Sequence, residues 1–126
     1  MGSMFAAGLS AKFNQPIGNW NVSKCTGFNL MFYQNPVFNQ DLGEWRFNQT
    51  GGTISIAAMF WNCSQFNNGG SPSISGWTTN KVTSLSQTFR GTAFNQPVGS
   101  WDVSNVTDLG EFLLSSTGGF NQDLSS

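Results

Sequence analysis

The sequence predicts an α/β repeat: a right-handed solenoid of short parallel strands joined by short helical or 3-10 turns, with about 25 residues per coil. Two observations predict it. Phe-Asn pairs begin at Phe13, Phe38, Phe66, Phe94 and Phe120, at spacings of 25, 28, 28 and 26 residues. The phrase FNQPIGNWNVS at 13–23 also returns as FNQPVGSWDVS at 94–104, changed only at Ile17/Val98, Asn19/Ser100 and Asn21/Asp102.

Each of the first four Phe-Asn pairs is followed by a tryptophan: Trp20, Trp45, Trp77 and Trp101. The Phe-to-Trp offset is 7 in three copies and 11 in the third, where Gly69-Gly70-Ser71-Pro72 is inserted. The second copy carries its own insertion at Gly51-Gly52. Insertions that differ between copies belong on loops. Three residues before each Trp stands Ile17, Leu42, Ile74 or Val98. Two after it stands Val22, Phe47, Thr79 or Val103, and three further on Cys25, Thr50, Val82 or Val106. This Ω-x-x-Trp-x-Ω-x-x-Ω template has the apolar spacing of a leucine-rich repeat. The alternation around Trp-x-Val predicts strands near 19–23, 44–48, 76–80 and 100–104. Downstream, Phe28/Met31/Phe32, Ile56/Met59/Phe60, Leu85/Phe89 and Leu109/Phe112/Leu113 follow i, i+3, i+4 spacing and predict about two helical turns in each unit.

One strand and one helical turn cannot bury their own apolar face, but stacked copies can. Adjacent strands lie ~4.8 Å apart, so equivalent residues pile into ladders. Phe13, Phe38, Phe66, Phe94 and Phe120 are expected to form one spine, and Phe5, Phe32, Phe60 and Phe89 a second. The Asn ladder Asn14, Asn39, Asn67, Asn95 and Asn121 is expected to satisfy backbone groups from one coil to the next. Met1–Ser3 reads as an expression scar, and residues 4–126 as one solenoid of four to five repeats, cut from a longer array because no polar capping repeat is visible at either end. An open-ended stack exposes apolar ladders, so end-to-end self-association of the chain is expected.

Composition narrows the class. Only 9% of residues are charged and the formal net charge is −1, which leaves no basic face for nucleic acid. Twelve Phe and five Trp supply the apolar mass that a disordered chain lacks. No apolar run of ~18 residues exists to insert into a membrane. The two cysteines, Cys25 and Cys63, are too few to be read as a disulfide framework.

MFYQNPVFNQDLGEW (31–45), FNQPVGSWDVSNVTDL (94–109) and FNQDLSS (120–126) resemble the BspA-type surface-protein repeat. That domain has no assigned function and is found in mycoplasma lipoproteins, cell-wall-anchored proteins of Gram-positive bacteria, and some protists and algae. The resemblance covers essentially the whole chain. It implies a leucine-rich-repeat-like solenoid on an extracellular or surface-anchored protein, used in adhesion or recognition, and it brings no catalytic residues. The chain departs from the pattern at its Gly insertions, at Thr79, at Arg46-Phe47 and in the stretch from Leu113 to Phe120.

Candidate chemistry is sparse. Histidine is absent, which removes the commonest general base and zinc ligand. The carboxylates Asp41, Glu44, Asp102, Asp108, Glu111 and Asp123 form no repeated facing pair of the kind glycoside hydrolysis needs. Asp102, Asn105 and Asp108 could offer oxygens to Ca²⁺, but the matching positions elsewhere are Asn21, Lys24 and Gly27, so no ligand set recurs. A non-enzymatic protein without cofactor or metal is expected. If the Trp and the residue two on point inward, their neighbours point outward in rows. These are Asn19, Glu44, Gly76 and Ser100; Asn21, Arg46, Thr78 and Asp102; and Ser23, Asn48, Asn80 and Ser104. A copied scaffold with a changing outward face suits the binding of an extracellular protein, as an extended peptide, or of a glycan. The alternatives are a structural spacer with no ligand and, more weakly, an ice- or mineral-binding face.

Overall fold

The computed structural model describes residues 13–25, 27–47 and 51–113. Within them, a parallel ladder joins residues about one repeat apart. β1 (Ile54–Ser55) pairs with β2 (Val82–Ser84), and single parallel bridges extend the row from Ser55 to Gly27 and from Ser84 to Asp108. Main-chain bonds continue the ladder beyond the strands. The N–H groups of Leu30, Phe32 and Gln34 donate to the carbonyls of Ala57, Met59 and Trp61. Those of Ala58, Phe60 and Asn62 donate to Ser86, Thr88 and Arg90, and those of Gln87 and Phe89 to Gly110 and Phe112, all at 2.8–3.2 Å.

Between these residues the chain closes turns on itself. Met31, Met59, Thr88 and Phe112 donate to Phe28, Ile56, Leu85 and Leu109, three residues back. The third residue of each turn, Leu30, Ala58, Gln87 or Glu111, has φ between 56° and 60°. Gln34, Asn62 and Gly91 repeat this in the following turn, at 56°, 61° and 70°. A left-handed residue at that position makes a type II turn and stops a helix. This corrects the expected helical segments. Spacing of i, i+3, i+4 places apolar groups on one side of a helix, but it does the same for consecutive four-residue turns. Among the described residues there is no α-helix. The two 3-10 helices, Asn68–Gly70 and Pro72–Gly76, occupy the inserted loop of the third repeat. There Ser71 caps the second helix by accepting from Ser73 N–H, and Pro72 needs no partner for its nitrogen.

The strands expected near 19–23, 44–48, 76–80 and 100–104 are likewise corrected, residue 48 lying outside the described residues. The N–H groups of Trp20, Trp45, Trp77 and Trp101 donate to Ile17, Leu42, Ile74 and Val98 at 3.0–3.1 Å. Those of Cys25, Val82 and Val106 donate to Val22, Thr79 and Val103. The described Ω-x-x-Ω spacings are therefore the two ends of hydrogen-bonded turns, the one from Ile74 to Trp77 being the end of the second 3-10 helix, so the chain rounds a corner at the Trp. The parallel pairing begins just downstream, at 27–28, 54–56, 82–85 and 107–109.

The core is a stack of rings. Phe13, Phe38, Phe66 and Phe94 follow one another with centroids 5.9–6.1 Å apart. Phe32, Phe60 and Phe89 form the second spine at 5.5 and 5.6 Å. The spines interleave, since Phe32 lies on Phe38, Phe60 on Phe66 and Phe89 on Phe94 at 3.8–4.0 Å, with planes within 10°. Phe5 and Phe120 lie outside the described residues. A third ladder ties the tryptophans. Indole N–H groups of Trp45, Trp77 and Trp101 donate to the carbonyls of Ile17, Leu42 and Ile74 at 2.8–3.0 Å, one repeat back. A fourth runs through asparagine: the N–H groups of Asn39, Asn67 and Asn95 donate to Oδ1 of Asn14, Asn39 and Asn67 at 2.7–2.9 Å. Stacking this close requires glycine at Gly18, where an added Cβ would meet the Asp41 carbonyl oxygen of the next repeat at 2.5 Å.

The residue three after each second-spine Phe is Asn35, Cys63 or Thr92, and all three are buried. Each donates to a main-chain carbonyl, Asn35 to Phe13, Cys63 to Phe32 and Thr92 to Phe89. Both cysteines are free thiols. Burial pushes the Cys63 thiol from an ordinary 9.0 up to about 12, against a backbone hydrogen bond at Asn35. The unfolded chain therefore releases this proton first. The stability that Cys63 contributes is complete below pH 9 and falls as pH rises toward 12. At pH 8, iodoacetamide is expected to label the half-buried Cys25 and to reach Cys63 only after denaturation, as read by mass spectrometry.

Candidate recognition face

The expected in/out division holds through the middle of the stack, whereas Trp20 and Val103, expected to point inward, are exposed. Ile17, Leu42, Ile74, Val98, Trp45, Trp77, Trp101, Val22, Phe47 and Thr79 are buried. Thr79 stands where other copies have an apolar residue and satisfies its hydroxyl by donating to the Asp102 carbonyl at 3.0 Å. In the outward rows, Asn19, Glu44, Gly76 and Ser100 are all exposed. So are Asn21, Arg46, Thr78 and Asp102, the row in which charge changes from copy to copy.

The third row is not a uniform face. Ser104 is exposed, but Ser23 and Asn80 are half-buried, and Asn80 turns its Oδ1 inward. Asn48 lies outside the described residues. Instead of presenting ligand groups, Asn80 accepts through its carbonyl from Asn105 Nδ2, which ties the last two repeats together.

Several outward groups are engaged locally. Asn21 Oδ1 accepts from Ser23 N–H at 3.0 Å and its hydroxyl at 2.7 Å. Asp102 Oδ1 accepts from Ser104 N–H at 2.9 Å. These are Asx turns, in which a short side chain holds the main chain two residues on. The Ser104 hydroxyl and N–H hold the Asp102 carboxyl below the ordinary carboxylate range. Arg46 donates to the carbonyls of Gly43 and Trp45 at 2.8 and 3.1 Å, and its guanidinium is 3.9 Å from Glu44. Asp41 closes another Asx turn on Gly43 and accepts from the Ser73 hydroxyl at 2.6 Å. Partial burial raises its carboxyl, but hydrogen bonds from Ser73, Gly43, Ser71 and Asn68 outweigh that and leave it below the ordinary value. Its role is to anchor the inserted loop.

One surface feature was not singled out in the sequence. Tyr33, Trp61 and Arg90 each follow a second-spine Phe and stack outside the core in the same order. The Tyr33 and Trp61 centroids are 5.0 Å apart, and the Arg90 guanidinium lies 4.9 Å over Trp61. Arg90 also pairs with Glu111 at 3.0 Å. The signal was an aromatic or arginine at one register position in three copies, hidden because neighbouring Phe residues dominate the pattern.

Among the described residues, no three or more Cys, Asp and Glu gather as a metal site would require. No described helix is long and apolar enough to cross a membrane.

Repeats joined by ring, indole, amide and main-chain ladders define this as a stacked-repeat protein. The chain belongs to the family described as Mycoplasma protein of unknown function, DUF285, which matches residues 1–71 and again residues 54–126. The second match starts about two repeat lengths after the first, as expected for a family pattern that spans several repeats. Neither the curated proteins nor the solved structures compared with the chain gave a match.

Proposed function

We propose that this chain is a non-enzymatic recognition module of a secreted or surface-anchored protein, and that it binds an extended peptide or a glycan across its outward turn rows. The supporting observation is the contrast between a copied interior and the exposed Asn21, Arg46, Thr78 and Asp102, which change charge from copy to copy on equivalent corners. The resemblance to BspA-type repeats, with their leucine-rich-repeat-like solenoid and surface location, supports the same reading. Four corners at roughly 4.8 Å per rung give a strip on the order of 15–20 Å, the scale of a short peptide or oligosaccharide. A spacer role is the second reading. It is favoured by the engagement of Asn21, Arg46 and Asp102 in bonds to their own repeats.

Glycan and peptide arrays separate the two. Wild type and an Arg46→Glu/Asp102→Lys double variant, matched by circular dichroism, are screened side by side. Saturable wild-type binding that the variant loses is expected for recognition. Binding by neither counts against recognition by these repeats alone and leaves a spacer or a site that needs further repeats.

A further inference from the structure

Neither the core nor the outward corners account for the row Tyr33, Trp61 and Arg90 with its neighbours Gln34 and Asn62. Successive rungs of the main-chain ladder carry these residues. Gln34 N–H donates to the Trp61 carbonyl and Asn62 N–H to the Arg90 carbonyl, at 2.9 and 2.8 Å. Tyr33, Trp61 and Arg90 are half-buried, and Gln34 and Asn62 are exposed. The phenylalanines that precede them in the chain, Phe32, Phe60 and Phe89, lie within 5° of parallel. Tyr33 and Trp61 are instead tilted by 49°, so the pair is a wedge and not a closed stack.

Unused hydrogen-bonding capacity distinguishes this strip. The indole N–H groups of Trp45, Trp77 and Trp101 donate to carbonyls within the stack. Trp61 Nε1 and the Tyr33 hydroxyl have no such partner among the described residues, and neither do the side-chain amides of Gln34 and Asn62. Arg90 commits Nη1 to Glu111 at 3.0 Å, and its guanidinium lies 4.9 Å over Trp61. Gln87 Nε2 holds Glu111 in turn at 3.2 Å, so the guanidinium is fixed on one face and at one nitrogen. Its Nε and Nη2 carry no bond among the described residues. The Asn62 amide reaches toward the Arg90 rung: a Cβ on Gly91 would run into Asn62 Oδ1, and Gly91, at φ 70°, leaves that space to it. On the corners, by contrast, Asn21, Arg46 and Asp102 close their bonds within their own turns.

We infer that this strip is a second binding site, and that its ligand is a neutral oligosaccharide lying along the stack. The rings offer apolar surface to the C–H faces of a sugar, and the free indole, phenol, amide and guanidinium groups match its hydroxyls. A few fixed polar groups beside aromatic surface are what a small-molecule site requires. An extended peptide fits less well, because it would pair with main-chain groups that the ladder already uses. Glu111 balances the charge of Arg90, so the strip has no net charge with which to hold an anion. The site is complete within three described rungs and does not depend on the outward corners.

The test is an array of neutral oligosaccharides of glucose, galactose, mannose and N-acetylglucosamine, printed beside sialylated and sulfated glycans and peptides. Each neutral hit is then titrated by NMR. Wild type is expected to bind a neutral oligosaccharide saturably, with shifts at the Trp61 indole N–H and the Asn62 side-chain amide. Trp61→Ala and Arg90→Ala are each expected to weaken that binding about tenfold or more, as the loss of one or two hydrogen bonds would. Asn62→Gly removes an amide that holds nothing else and keeps the left-handed backbone free of strain. It is expected to weaken binding severalfold, which keeps the test decisive even where a Trp61 variant folds poorly. Circular dichroism checks the fold of every variant. The Arg46→Glu/Asp102→Lys protein is expected to bind these sugars as wild type does. Sugar binding lost in that variant and kept in Asn62→Gly belongs to the corners and overturns the inference. So does binding of no neutral oligosaccharide, binding of charged glycans or peptides alone, or neutral binding that Trp61→Ala and Asn62→Gly leave unchanged.

Discussion

Phe66→Ala is expected to lower stability by about 3–5 kcal/mol, the range for emptying a buried phenylalanine site. Phe66 is fully buried and touches four other rings, with centroids at 5.9 Å to Phe38, 3.9 Å to Phe60, 6.3 Å to Phe89 and 6.1 Å to Phe94. It is where the two spines interleave in the middle of the stack. The loss has two parts: the transfer of the ring from water, and a cavity that planar neighbours on both sides cannot collapse to fill. Because repeat proteins depend on nearest-neighbour interfaces, the defect should also uncouple the repeats on either side. Urea denaturation is therefore expected to show a lower midpoint and a broader transition. Phe66→Leu keeps most of the volume and is expected to cost about half as much, with a sharper transition.

Asn39→Leu is the second large effect, at about 2 kcal/mol. Asn39 Oδ1 accepts from the N–H of Asn67 and of Gly69, both at 2.8 Å, so one side chain holds two main-chain donors at the start of the inserted loop. Leucine leaves both donors without that acceptor. Asn39→Asp keeps the acceptor oxygen and is expected to remain within about 1 kcal/mol of wild type. Equal losses for the two variants, measured by urea denaturation, would show that side-chain packing, not hydrogen bonding, holds this corner.

Both effects were legible in the sequence, because each rests on a residue type copied at fixed spacing. A buried ring must meet a ring of similar size one repeat away, and an amide that caps the next coil must recur with the coil. Side-chain ladders follow from the repeat length alone. The outward positions Asn21, Arg46, Thr78 and Asp102 were legible for the same reason, since Trp-x-Ω alternation sends intervening side chains out on a turn as well as on a strand.

The secondary structure was not legible in this way. Apolar groups three apart suit a helix face, the flank of a leucine-rich-repeat strand, or the ends of a β-turn, and the sequence carries few of the glycines that would mark type II turns. Leu30, Gln34, Ala58, Gln87 and Glu111 all adopt positive φ without being glycine. The ladder bonds on both sides of each turn hold them there, which is a tertiary effect with no local signature. Asn80 departs from the outward row for a similar reason. Its place in the register says nothing of the Asn105 amide that reaches its carbonyl from the next repeat.

Stacking in register is the claim on which everything else depends. Its most direct test is NMR detection of scalar couplings across hydrogen bonds. The amide nitrogens of Phe32, Phe60 and Phe89 are expected to correlate with the carbonyl carbons of Met59, Thr88 and Phe112, each in the following repeat. Correlations to Phe28, Ile56 and Leu85 instead, the carbonyls four residues back, would mean that these segments are helices and that the repeats are not joined through their main chains.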